Sequence, residues 1–140
     1  KPRLLALAAS MPEAVRQAVF FPGFVSDALL DQLYRQCAVF AMPSWGEGFG
    51  LTYIEAMARG KPCVGGRQDA AQCVIRHGQT GLLVDDPTDI HEVAEAIRQL
   101  LSNPALAWEM GRAGYYLVQE RYLYPHFRDR FLKCLDLENP

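Results

Sequence analysis

Apolar positions along this chain follow two rhythms. Some fall in short continuous runs, as in strands, and others recur every three or four residues, as on helix faces. Residues 38–44 (AVFAMPS) are a continuous apolar run ended by Pro43, the pattern of a strand covered on both faces. Residues 62–66 (PCVGG) and 81–86 (GLLVDD) repeat that pattern. Residues 3–9 (RLLALAA) and 18–25 (AVFFPGFV) are also strand-like, the second punctuated by Pro22-Gly23. Helical spacing fills the intervals. A short helix is predicted over MPEAVRQA, and Leu29, Leu30, Leu33 and Cys37 recur behind Ser26, a suitable N-cap. Residues 51–60 predict a helix stopped at Gly60, with Pro62 beyond it, and residues 69–78 one ended by Gly78. From residue 87 the strands give out. Residues 87–103 predict an amphipathic helix started by Pro87 or Thr88, with Ile90, Val93, Ala94, Ile97, Leu100 and Leu101 as its apolar stripe. A helix over 104–122, bent at Gly111, and a last helix over 126–137 follow. The last helix carries Phe127, Phe131, Leu132 and Leu135 on one face, which either covers the chain's own sheet or stays exposed for another region.

This alternation predicts an α/β fold, a parallel sheet with helices on both faces. A length of 140 residues suits one domain with one core. A formal charge of −2 argues against a sequence-independent nucleic-acid binder. No apolar run is long enough to cross a bilayer. The opening KPRLLALAASMPEAV has an apolar stretch of about six residues, too short for a signal peptide. Cys37, Cys63, Cys73 and Cys134 form no C-x-x-C pair and read as reduced, mostly buried thiols of a cytoplasmic protein. His77, His91 and His126 lack partners at ligand spacing, so no metal is expected.

The chemistry concentrates in PSWGEGFGLTYIEAMARGKP, residues 43–62. In a parallel α/β sheet, ligands bind where strand ends lead into helices, and this segment is such a crossing. Glycines 46, 48 and 50 let a ligand approach the main chain, and the amides of Phe49 to Thr52 would form an anion site at the helix start. Glu47 in the loop and Glu55 one turn into the helix could accept hydrogen bonds from sugar hydroxyls on either side of a diphosphate. The same residues also fit a plainer account, with Glu47 as a helix-start acid and Glu55 as a solvated or capping residue. The spacing is neither G-x-G-x-x-G nor a Walker motif.

The stretch PSWGEGFGLTYIEAMARGKPCV, followed by HGQTGLLV, resembles the donor-binding domain of retaining GT-B glycosyltransferases of family 4, whose E-x7-E pattern Glu47 and Glu55 match. The resemblance implies a Rossmann-like domain, the C-terminal half of a GT-B fold. It implies a nucleotide-diphosphate sugar as donor substrate, transfer with retained configuration, and no metal or other cofactor. It assigns Glu47 to hydroxyls of the transferred sugar, as the catalytic residue. The amides of Gly48, Phe49 and Gly50 meet the sugar and diphosphate, with Leu51 and Thr52 as further donors, and Glu55 accepts from the ribose. Ser44 would help or form a turn, Phe24 and Val25 would pack the base unless Phe24 is core, and Thr80-Gly81 would form a structural turn.

Three departures accompany the match. The family's acceptor side comes from an N-terminal domain, and the expectation is that this chain lacks both that domain and the start of the donor domain. A membrane contact, where family members make one, comes through that half. The family's diphosphate-binding Arg and Lys lie upstream, and Lys1 and Arg3 do not match them. Residues 67–74 (RQDAAQCV) put Cys73 where the family carries a glutamate, leaving Arg67 or Gln68 to compensate. The expectation is a donor-binding domain inactive alone. The alternatives are a non-catalytic nucleotide-sugar-binding or interaction module and an unrelated phosphate-binding α/β domain.

Overall fold

The computed structural model describes residues 2–136. By contact density the chain falls into two units, one ending at Leu30 and one starting at Asp31. The first holds helices α1 (Pro2–Ala9) and α2 (Glu13–Ala18) and the start of α3 (Asp27–Gln36). Two expected strands are absent from it. RLLALAA is helical, because Leu and Ala are strong helix formers and a lone apolar run cannot hold an extended backbone without a neighbour. Residues 19–25 form no strand either. Pro22 lacks an N–H, Gly23 sits at φ 73°, and among the described residues no strand pairs with the segment. The helix behind Ser26 forms as expected: the Ser26 carbonyl accepts from Leu30 N and its hydroxyl from Leu29 N.

The second unit is built on a three-stranded parallel sheet in the order β1 (Phe40–Ala41), β2 (Cys63–Gly66), β3 (Gly81–Val84). Phe40 pairs with Cys63, and Cys63 with Gly81. Side chains alternate across this register and divide the core. On one face Cys63 and Leu83 pack with Tyr53, Ala56 and Met57 of α4 (Leu51–Met57), Ala71 and Val74 of α5 (Ala71–Val74), and Leu117 and Val118 of α7 (Pro104–Arg121). On the other, Val64, Leu82 and Val84 meet Leu100 of α6 (Ile90–Ser102) and Met110 of α7. Helices therefore cover both faces of a parallel sheet, the predicted Rossmann-like arrangement. Every residue of β2 and β3 is buried. β1 is shorter and less covered than its apolar run predicts, with Ala41 exposed, because it is an edge strand.

Several helix boundaries move. α5 is four residues rather than ten, because Ile75 turns extended at its C-cap. Asp89, not Pro87 or Thr88, caps α6, its carboxylate accepting from His91 N and Glu92 N. Along α6, Val93, Ala96, Ile97 and Leu100 pack inward, while Ala94 is exposed, as are Ile90 and Leu101. α7 runs unbroken through Gly111, whose missing side chain serves packing instead. A Cβ there would strike the carbonyl of Gly60, and Gly114 one turn later lies against Met57. α8 (Tyr124–Asp136) starts earlier than expected, with Pro125 in its first turn, where no intrahelical N–H bond is needed. Its face of Phe127, Phe131, Leu132 and Leu135 is exposed, which decides between the two expectations for that face; Leu137 lies outside the described residues.

Candidate functional site

The loop from β1 to α4 leaves the carboxyl end of the sheet. Gly50 is the N-cap of α4 at φ 87°, a left-handed conformation that strains any other residue, and a Cβ there would press on Tyr53 and Val74 at 3.2 Å. A Cβ on Gly46 or Gly48 would meet nothing within 4 Å. Those two glycines answer no packing need and leave the space beside the loop open.

Glu47 is half-buried, and its Oε1 accepts from Gly50 N at 2.9 Å and Phe49 N at 3.2 Å. The chain thus places its own carboxylate on the first amides of the expected anion site, as the plainer account of a helix-start acid required. Among the described residues, the amides of Leu51 and Thr52 have no acceptor. The Thr52 hydroxyl turns inward to Met42 Sδ at 3.7 Å, so only its amide faces the loop as a donor. Leu51 and Phe49 are exposed. Phe49 borders a cavity of about 480 Å³ shared with Tyr122, Phe127, Arg130, Phe131 and Cys134. Glu55 is exposed, and its Oε2 accepts from the Tyr34 hydroxyl at 2.9 Å.

Asp69 is the residue that sequence reasoning missed. It is 9% exposed and holds three donors: Ser44 Oγ at 2.8 Å, Ala71 N at 2.8 Å and Glu47 N at 3.3 Å. Ala70 N donates back to the Glu47 carbonyl at 3.2 Å. The backbone of Glu47 is therefore gripped from both sides by the turn after β2. An Asp two residues before an Ala-rich helix is a capping signal, but placing it inside a helix from residue 69 hid that role. Ser44 makes a structural bond rather than presenting its hydroxyl to the loop.

Arg67 and Gln68 turn toward β3. Arg67 pairs with Asp85, and Gln68 donates to the Asp85 carbonyl at 3.3 Å. His77 Nδ1 accepts from Leu83 N at 2.9 Å, which fixes its tautomer. Thr80 closes the expected turn by accepting from Arg76 N at 2.9 Å. Phe24 is fully exposed, so it is not a core residue. Among the cysteines, Cys63 is buried and Cys37 half-buried, while Cys73 and Cys134 are exposed, contrary to the expectation that most are buried.

The family model described as glycosyl transferases group 1 matches residues 11–116. The chain belongs to this family. It is 36% identical over 134 residues to the D-inositol 3-phosphate glycosyltransferase of Rhodococcus jostii, covering 93% of this chain and 28% of that protein. It is 41% identical over 115 residues to the GDP-mannose-dependent alpha-(1-6)-phosphatidylinositol monomannoside mannosyltransferase of Mycolicibacterium smegmatis, covering 77% of this chain and 30% of the relative. The chain thus spans less than a third of the length of these relatives. Among solved structures it is similar to sucrose-phosphate synthase from Thermosynechococcus elongatus, with TM-score 0.85 and 29% identity over 99% of this chain and 35% of that one. It is also similar to Anabaena HepE in complex with UDP, with TM-score 0.80 and 25% identity over 88% and 33% of the two chains. Membership of the glycosyl transferases group 1 family accounts for the architecture: a Rossmann-like parallel sheet similar to those of GT-B glycosyltransferases, with the Glu47 loop at the carboxyl edge of the sheet. No helix among the described residues is long and apolar enough to cross a membrane.

Proposed function

We propose that the chain is the donor-binding portion of a retaining glycosyltransferase that takes a nucleoside diphosphate sugar, with an acceptor-binding half supplied by sequence outside these residues. The observation that carries the reading is the carboxylate of Glu47 on the amides of Gly50 and Phe49, at 2.9 and 3.2 Å. An anion bound by main-chain donors at a helix start stands in for a phosphate oxygen. Family membership and the UDP held by a structural neighbour support the same ligand class. Relatives named for GDP-mannose and for inositol phosphate leave the base and acceptor to experiment.

In this reading the diphosphate takes over the amides of Phe49 and Gly50, joined by those of Gly48, Leu51 and Thr52, and displaces the Glu47 carboxylate toward the sugar hydroxyls. Glu55 accepts from the ribose. The bond between the anomeric carbon and the diphosphate oxygen breaks, and the diphosphate keeps the electron pair. The anomeric carbon bonds to an acceptor hydroxyl on the same face, and the acceptor's proton passes to the released diphosphate. Charge growing on the leaving oxygens is met by donors already in place.

NMR titration of the chain with UDP, GDP and ADP, then with the matching sugar nucleotides, tests this. Glu55→Ala weakens every nucleoside diphosphate that binds. Glu47→Ala weakens the sugar nucleotide and leaves the bare diphosphate bound as well or better, because a competing carboxylate is gone. Unchanged sugar-nucleotide binding in both variants overturns the assignment.

A further inference from the structure

We propose that Tyr34 is a positioning residue for Glu55, setting the carboxylate that receives the ribose; this rests on the donor-binding reading above. Glu55 lies exposed on the first turns of α4, where a carboxylate side chain ordinarily samples several rotamers. Here it does not swing freely, because the Tyr34 hydroxyl donates to Oε2 at 2.9 Å. A carboxylate offers two oxygens and about four lone pairs. One bond from Tyr34 therefore fixes the plane of the group and leaves Oε1 to a sugar diol.

The tyrosine is itself immobilised. The residue is 7% exposed, and its ring packs against Phe40 with centroids 5.5 Å apart. The Arg59 guanidinium also stands over the ring, 5.1 Å from its centroid. Arg59 in turn is held by Asp31, through Nε at 2.7 Å and Nη2 at 2.6 Å, and donates to the Glu55 carbonyl at 2.8 Å. Asp31 also takes Arg35 at 2.6 Å. A chain of contacts from α3 thus reaches the tip of Glu55 through one hydroxyl. A receptor group held in its bound geometry before the ligand arrives loses less freedom on binding.

The test compares the affinities of UDP, GDP and ADP with those of their 2′,3′-dideoxy counterparts, by NMR or calorimetric titration of the full chain. The readout is the ratio of the two dissociation constants, which isolates recognition of the ribose hydroxyls. The unaltered chain discriminates by about tenfold or more, as a hydrogen bond to a carboxylate allows. Glu55→Ala brings the ratio near one. Tyr34→Phe keeps the ring and its packing yet lowers the ratio by about threefold or more. A purely structural role for Tyr34 would weaken both nucleotides equally and leave the ratio intact. A ratio that falls in Glu55→Ala but not in Tyr34→Phe overturns the inference and spares the reading. A ratio unmoved by Glu55→Ala, or no binding of any nucleotide, overturns both. Should Tyr34→Phe fail to fold, 4-fluorophenylalanine at position 34 fills the hydroxyl's place without its donor proton and must lower the ratio too; an unchanged ratio there overturns the inference.

Discussion

Removing the Asp69 carboxylate tests the architecture that places Glu47. In Asp69→Ala three donors lose their acceptor at once. The Ser44 hydroxyl can rotate toward water, since Ser44 is only half-buried. The amides of Ala71 and Glu47 cannot rotate. Leaving a buried donor unsatisfied costs about 1–3 kcal/mol. Ala71 N, at 2.8 Å, should lie in the upper part of that range, and Glu47 N, at 3.3 Å, in the lower part. The expected loss is therefore about 3–5 kcal/mol. Asp69→Asn keeps one oxygen for Ala71 N but presents an amide donor to the other partners, and should lose about 1–2 kcal/mol. Urea denaturation measures the totals, and hydrogen exchange of the Glu47, Ala70 and Ala71 amides locates them. A loss below about 0.5 kcal/mol in Asp69→Ala, with those amides still protected, would refute the view that this carboxylate builds the loop.

Gly111→Ala should destabilise the chain by about 1–3 kcal/mol, although alanine is the better helix former, because the new methyl meets the Gly60 carbonyl; stabilisation in a denaturation experiment would show that the two segments do not cross there. Burial pushes the Cys63 thiol above its ordinary 9.0, while Cys73 and Cys134 are exposed. A thiol reagent at neutral pH should therefore modify Cys73 and Cys134 in the native state and Cys63 only on unfolding, as mass spectrometry of labelled peptides would report. The same raised thiol, with the Tyr34 and Tyr53 hydroxyls raised by burial, gives stability that is complete below the ordinary pKa values and lost as pH rises beyond them. The urea midpoint should accordingly fall above about pH 9, and a flat profile to pH 11 would count against it.

The strands buried on both faces were legible because every position of β2 and β3 had to be apolar or small. A strand without a partner was not. RLLALAA and AVFFPGFV carry apolar runs that suit either state, and the decision belongs to neighbours that a linear reading does not show. In the site, Gly50, expected to open the loop to a ligand, is also a left-handed N-cap, whereas Glu47 was legible because its task as a helix-start acid is local. Asp69 and Tyr34 were not, since their partners lie 22 to 25 and 21 residues away. Local periodicity carries no trace of such bonds. The brevity of α5 has the same origin, because residue 69 serves the neighbouring loop rather than extending a helix.

The carboxylate seated on Gly50 N is attached only three residues away. Tethering gives it an effective concentration of about millimolar or more at those amides, however dilute the protein. Chloride or acetate from the medium must outcompete a rival that never diffuses off. A ligand bringing several negative oxygens and a sugar on one scaffold displaces it more readily, because one departure makes room for many contacts. On the donor-binding proposal, the tethered carboxylate makes the loop discriminate against common buffer ions and favour a polyvalent guest.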